Sequence, residues 1–347
     1  MYEEIKAKTN QFPRLGLGHF PSPIRKVSFA EGKSFWVKDD GVISEVYGGN
    51  KVRKLEYLLA DARRRNKRRL VVQGDIESHT VMACCLFGRQ AGFAVDAVIF
   101  PHGRQAFDSP EIQHLVDAGV SLHRMKTMLA TFCYAGVLGL RCGSYLIPLG
   151  GSTPLSSLGY VQGAVELCEQ IRQQLLPDPE RVFLPFATGG SVAGLLIGLA
   201  LVGSPVRVVA VQTVEGIIAN RGRLNRLIKA TLPLIGVSGA FSSSCLERLE
   251  TIDRRFLGTG YRDIPLPVNS AVRLASDFGL ELEPVFSGKA LASLLDARAK
   301  NGCGELLFWN THSRQSAGLA EQIGVYGKRQ APCSDDRLCP CTPKSAQ

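Results

Sequence analysis

The chain has 347 residues, 45% hydrophobic and 21% charged, a formal net charge of +10 and ten cysteines. That length buries the core of two ordinary lobes, and the charge content is that of a globular enzyme, not of a disordered or membrane-embedded chain. The positive excess comes with no zinc-finger spacing, RNA-recognition signature or aromatic stacking set, so nucleic acid is not an expected partner, and attraction of small anionic ligands is the simpler use of the charge.

In chain order, the N-terminal residues 1–6 lack a basic segment followed by an apolar one, so no secretory signal is expected and the cytoplasm is the expected location. After Gly48-Gly49, the residues Val52, Leu55, Leu58 and Leu59 are spaced for one apolar helical face. The basic run 63–69 closes that helix, where positive charge complements the C-terminal dipole. Residues 69–74 read as a buried strand ending in a turn, 81–92 as a helix and 94–100 as the next strand, which makes a βαβ unit. Further strands are expected over 182–187, 206–211 and 305–309, with a small-residue helix over 195–201. Short apolar runs alternating with helical patterns predict an open α/β sheet. No apolar stretch is long enough to span a membrane. Cys84, Cys85, Cys133, Cys142 and Cys168 lie in apolar contexts and read as reduced, buried small hydrophobes. Cys333, Cys339 and Cys341 match no zinc spacing, so no metal is expected, and residues 331–347 read as a disordered tail.

Two motifs carry chemistry. In Gly48-Gly49-Asn50-Lys51 the glycines let backbone approach a ligand closely and set an amine at the mouth of a helix. In Thr188-Gly189-Gly190-Ser191-Val192-Ala193-Gly194 a glycine turn between strand and helix aims backbone N–H groups and the positive helix end at one point, which suits a phosphate dianion. The hydroxyls of Thr188 and Ser191 add donors. A lysine and a phosphate cup together fit a cofactor with an aldehyde at one end and a phosphate at the other.

With these motifs, and with Phe20-Pro21-Ser22-Pro23-Ile24, Lys38-Asp39-Asp40, residues 74–79, Ile147-Pro148-Leu149-Gly150-Gly151-Ser152, Gly260-Tyr261 and residues 283–290 and 306–311, the chain resembles the D-cysteine desulfhydrase and 1-aminocyclopropane-1-carboxylate (ACC) deaminase family. These are tryptophan-synthase-β-like pyridoxal phosphate enzymes of fold type II. The resemblance implies a two-lobed open-sheet α/β fold, with a large lobe from 1–53 and 164–330, a small lobe inserted as 54–163, and a homodimer. It also implies pyridoxal 5′-phosphate anchored by Lys51, with Asn50, Lys54, His79, residues 188–194, Ser287 and Thr311 around it, and Ser78 beside a small amino-acid substrate.

Within this family ACC-deaminase-like members carry a glutamate at the position of Ser287, where the acid keeps a proton on the pyridine nitrogen. A hydroxyl there offers a weaker electron sink, which suffices for β-elimination. Four departures from the family pattern are Phe286 for a tyrosine, which leaves Tyr261 as the aromatic hydroxyl; His79 for an asparagine; His312-Ser313 for two glycines; and Glu77 for a glutamine, expected to set negative charge near the substrate carboxylate. The leading expectation is a lyase that eliminates a β-substituent from a D-cysteine-like amino acid. The alternatives are an ACC-type deaminase and a pyridoxal-phosphate-binding paralogue with impaired turnover.

Overall fold

The computed structural model describes residues 2–314 apart from 30–31, 103–106, 108–109 and 301–303; the expected tail and the last stretch of the expected large lobe lie outside the described residues. In chain order the elements are α1 (Tyr2–Asn10), β1 (Ile24–Ser28), β2 (Ser34–Asp39), α2 (Asn50–Arg64), β3 (Arg69–Asp75), α3 (His79–Gln90), β4 (Ala94–Phe100), α4 (Pro110–Asp117), β5 (Ser121–Arg124), α5 (Met128–Gly139), β6 (Ser144–Ile147) and α6 (Pro154–Arg172). They continue with β7 (Arg181–Phe186), α7 (Gly190–Leu201), β8 (Arg207–Gln212), α8 (Arg221–Thr231), α9 (Ser242–Glu247), β9 (Leu249–Asp253), α10 (Leu266–Asp277), α11 (Lys289–Ala299) and β10 (Leu306–Asn310).

The strands form two sheets, one for each lobe. Six run in the order β1-β2-β10-β7-β8-β9, parallel except for the β1–β2 pair, and four run all-parallel as β5-β4-β3-β6. Parallel strands covered on both faces read as unbroken apolar runs, which is why 70–72 and 182–184 are wholly buried. The helix expected from 81 opens at His79, because the Ser78 side chain accepts from the Val81 N–H and caps it. The helix expected from 195 opens at Gly190, after Gly189 turns the chain at φ 92°.

Helices α6 and α7 pack almost backbone to backbone: a Cβ on Gly194 would stand 2.2 Å from the Ser157 carbonyl oxygen. Helix α6 runs unbroken through residues 163–164, and its Leu158, Tyr160 and Val161 join the core of the six-stranded sheet. The expectation for the cysteines needs correction. Cys84, Cys85 and Cys168 are buried, but Cys133 and Cys142 are exposed: α5 turns an apolar stripe of Leu129, Cys133 and Val137 outward, and Cys142 lies in the turn that follows the helix.

A buried ion network fixes α2. The Arg53 guanidinium donates to both carboxylate oxygens of Asp40, just after β2, at 2.9 and 2.8 Å, and to Glu166 of α6 at 3.0 Å, while Lys38 of β2 donates to Glu166 at 2.6 Å. Those charges hold the Glu166 carboxyl down at about 2 despite its burial. The network lies two residues from Lys51.

Candidate active site

Lys51 sits in the first turn of α2, at the edge of a cavity of about 340 Å³. The glycines before it are there for close approach. A Cβ on Gly48 would meet the Gly41 oxygen at 1.9 Å, and one on Gly49, at φ 82°, the Thr311 oxygen at 2.5 Å. That contact brings the end of β10 to the lysine. The Lys51 amine donates to Asn50 Oδ1 at 2.9 Å, and burial lowers its pKa from 10.5 to about 8, against a raising pull from Glu283. The repulsion between the two amines falls on Lys54, whose pKa goes well below the usual lysine value through burial first and Lys51 second.

The glycine turn faces Lys51 across the cavity. Thr188, Gly189, Gly190, Ser191 and Val192 line it, whereas Ala193 and Gly194 are buried in the helix behind. Asn50 Nδ2 donates to Ser191 Oγ at 3.1 Å. Lys54 donates to Ser152 Oγ at 3.1 Å and to the Gly150 carbonyl at 3.2 Å, and Ser152 in turn pairs with Thr188 Oγ1 at 2.7 Å and accepts from the Gly190 N–H at 3.2 Å. Ser152 and Gly150 belong to a landmark of the sequence that had no role assigned; here they floor the cup.

On the rim, Ser78, Tyr261 and Asp75 line the cavity. Burial and Asp75 raise the Tyr261 phenol, whose ring packs on Phe286 at 5.6 Å. Arg262 is the residue sequence reasoning missed: it donates to Glu77 and, at 3.2 Å, to Asp75 Oδ2, joining loops 187 positions apart at most. Glu77, expected to set negative charge near the substrate carboxylate, is exposed and paired with Arg262, and it does not line the cavity. Only the adjacent aromatic landmark could have pointed to Arg262.

Burial first, then His312, Lys51 and Arg262, push the His79 pKa well below 6.5, and burial lowers His312 to about 4. Their rings meet edge to face at 5.1 Å, and Tyr47 OH holds His79 Nδ1 at 2.5 Å. Thr311 lines the cavity, but Ser287 does not: it is fully buried, and its hydroxyl donates to Glu283 Oε1 at 2.8 Å. Glu283 lines the cavity and caps the turn Pro284–Gly288, accepting from the N–H groups of Phe286 at 2.8 Å and Ser287 at 2.6 Å. Burial raises the pKa of its carboxyl and those hydrogen bonds oppose the rise.

These residues fit pyridoxal phosphate. An amine brought toward neutrality by burial faces a turn that a Cβ on Gly190 would fill, at 2.7 Å from Ser152 Oγ and 3.1 Å from Lys54 Nζ, and the first amides of α7 open onto the same cavity. The model of the pyridoxal-phosphate dependent enzyme family matches residues 15–307. The chain is 30% identical over 322 residues to a D-cysteine desulfhydrase of Salmonella paratyphi C, covering 87% of this chain and 94% of that protein. It is 28% identical over 322 residues to a Pyrococcus furiosus protein provisionally named as an ACC deaminase, covering 90% and 95%. In fold it matches the crystal structure of an ACC deaminase homologue with a TM-score of 0.75 at 24% identity, over 94% of this chain and 99% of that one. With the lysine, the cup and these relationships in place, the chain belongs to the pyridoxal-phosphate dependent enzyme family, among the lyases related to D-cysteine desulfhydrase and ACC deaminase.

Proposed function

We propose that this protein eliminates the β-substituent of a small amino acid, D-cysteine in the first instance, giving pyruvate, sulfide and ammonia. Lys51 would anchor the cofactor, and its free amine would move the proton at the substrate α-carbon; a pKa of about 8 suits that task near neutral pH. Residues 188–192, Ser152 and Lys54 hold the phosphate. The Ser78 hydroxyl and the N–H groups of its loop bind the substrate carboxylate, and Tyr261, held by Asp75 and by packing on Phe286, is the hydroxyl that hands a proton on. Thr311, Asn50 and His79 orient the ring. When bound, pyridoxal phosphate supplies an electron sink for the carbanion.

The observation that carries elimination over ring opening is at Ser287 and Glu283. Position 287 holds a neutral hydroxyl, and the neighbouring carboxylate already accepts from two backbone N–H groups and that hydroxyl. Position 287 thus offers the ring nitrogen no acid. A weak sink is enough when sulfide leaves from the β-carbon, while an unactivated cyclopropane demands more. The test compares pyruvate and sulfide from D-cysteine with 2-oxobutanoate from ACC. Sulfide release in excess supports the proposal, efficient 2-oxobutanoate release refutes it, and silence on a panel of D- and L-β-substituted amino acids moves the assignment to the non-turning paralogue.

For assembly we propose a cytoplasmic homodimer that covers the outward stripe of α5, where Leu129 and Leu140 are 72% and 87% exposed. Light scattering of wild type and Leu129→Glu tests it, with a shift to monomer expected. Among the described residues no helix is long and apolar enough to cross a membrane.

A further inference from the structure

We propose that His79, Glu283 and His312 form a binding site for a divalent transition-metal ion of the zinc type, and that ion and cofactor bind antagonistically. The three side chains come from separate parts of the fold: the first residue of α3, the cap of the turn before α11 and the loop after β10. One ligand atom from each lies within 4.8 Å of the others. Two imidazoles and a carboxylate, with a position left open, are the donor set that Zn²⁺ takes in catalytic sites, and imidazole donors also suit Co²⁺.

The supporting contacts are those of a prepared site. Tyr47 engages His79 Nδ1 and fixes the ring, leaving Nε2 for a ligand. The N–H groups of Phe286 and Ser287 hold the Glu283 carboxylate in place. The Nδ1 atom of His312 is buried with no hydrogen-bond partner among the described residues, a cost that a bound ion would remove. Two of the three ligands, His79 and His312, are positions at which this chain departs from the family pattern, so the site is a property of this sequence.

All three side chains line the cavity that also holds Lys51, Thr311 and the glycine turn. Ion and pyridoxal phosphate draw on one space, and whatever one loses to the other is reciprocal.

The test is equilibrium binding, independent of turnover and so of the proposed reaction. Protein with its cofactor, and the same protein after cofactor removal, is titrated with Zn²⁺ and with Co²⁺ as a spectroscopic substitute. Expected are one ion per cofactor-free chain, a Co²⁺ spectrum of nitrogen and oxygen ligation, and at least about a tenfold rise in the apparent Kd of pyridoxal phosphate at saturating Zn²⁺. His79→Asn and His312→Gly, each verified by an unchanged melting temperature, should weaken Zn²⁺ by about tenfold or more and abolish the antagonism. Should one variant fail to fold, Glu283→Gln takes its place. Sub-stoichiometric uptake, a thiolate-to-cobalt band that puts the ion on cysteines, uptake unchanged in folded variants, or cofactor affinity indifferent to Zn²⁺ would each overturn the proposal.

Discussion

Replacing Lys51 by methionine should stabilise the cofactor-free protein, and the size of the effect follows from the lysine's surroundings. In the folded chain its ammonium loses a proton at about 8, against 10.5 ordinarily. Below about pH 8 both states carry the charge, and the folded state bears the whole penalty of burying it. Between about 8 and 10.5 the folded amine is neutral while the unfolded one still binds a proton, so stability rises with pH; above 10.5 neither is charged and the penalty is gone. At 1.36 kcal/mol for each tenfold change in proton affinity the penalty at pH 7 is about 3 kcal/mol, and screening through the open cavity brings it to about 2. Removing the charge also relieves Lys54, which Lys51 repels, and so acts in the same direction. Urea denaturation of cofactor-free wild type and Lys51→Met should therefore give the variant a gain of about 2 kcal/mol at pH 7, shrinking below about 1 kcal/mol at pH 10. No gain at pH 7 would refute a strained lysine. An equal gain at both values would assign the effect to methionine's apolar surface and not to charge. The same variant should lose the visible absorption of lysine-bound cofactor.

Gly190→Val should raise the Kd for pyridoxal phosphate at least about tenfold, or about 1.4 kcal/mol, because its Cβ would displace Ser152 Oγ and with it the contacts to Thr188 and Lys54; equilibrium titration reads it directly. Arg262→Ala leaves Asp75 and Glu77 uncompensated beside the substrate carboxylate, so KM should rise about tenfold with kcat changing less; steady-state kinetics that show the reverse would tie Arg262 to Tyr261 instead. Gly194→Ala sets a methyl group 2.2 Å from the Ser157 oxygen, a backbone atom that cannot rotate away, and should cost roughly 1–3 kcal/mol by chemical denaturation.

The lysine, the cup and the parallel strands were legible in the sequence because each is local. Glycine spacing, a strand-to-helix turn and continuous apolar runs are read within a dozen residues, and 69–74 and 94–100 fall within a residue of β3 and β4. What escaped depends on distance or on side-chain direction. Arg262 and Glu77 are 185 positions apart, so nothing in either segment announces their ion pair. Ser287 was identified by position, but the wide turn Pro284–Gly288 carries its hydroxyl onto Glu283, a residue that read only as part of a landmark. Cys133 misled for a related reason: apolar neighbours in sequence do not say which face of α5 looks outward, and Cys142 falls in the exposed turn after that helix.

The Arg53 network bears on how the chain assembles. Its charges come from position 38, from 40 and 53, and from 166; Arg53 meets Asp40 locally, but Lys38 and Glu166 have no charged partner in the network until α6 packs on β2 and α2. A half-folded molecule that enclosed Lys38 without Glu166, or Glu166 without its cations, would carry an unpaired charge costing about 3–5 kcal/mol. Such species are too unfavourable to accumulate. Segments separated by more than a hundred residues are thereby obliged to condense in a single cooperative event, and the N-terminal stretch leaving the ribosome must wait for α6 before its own interior can close.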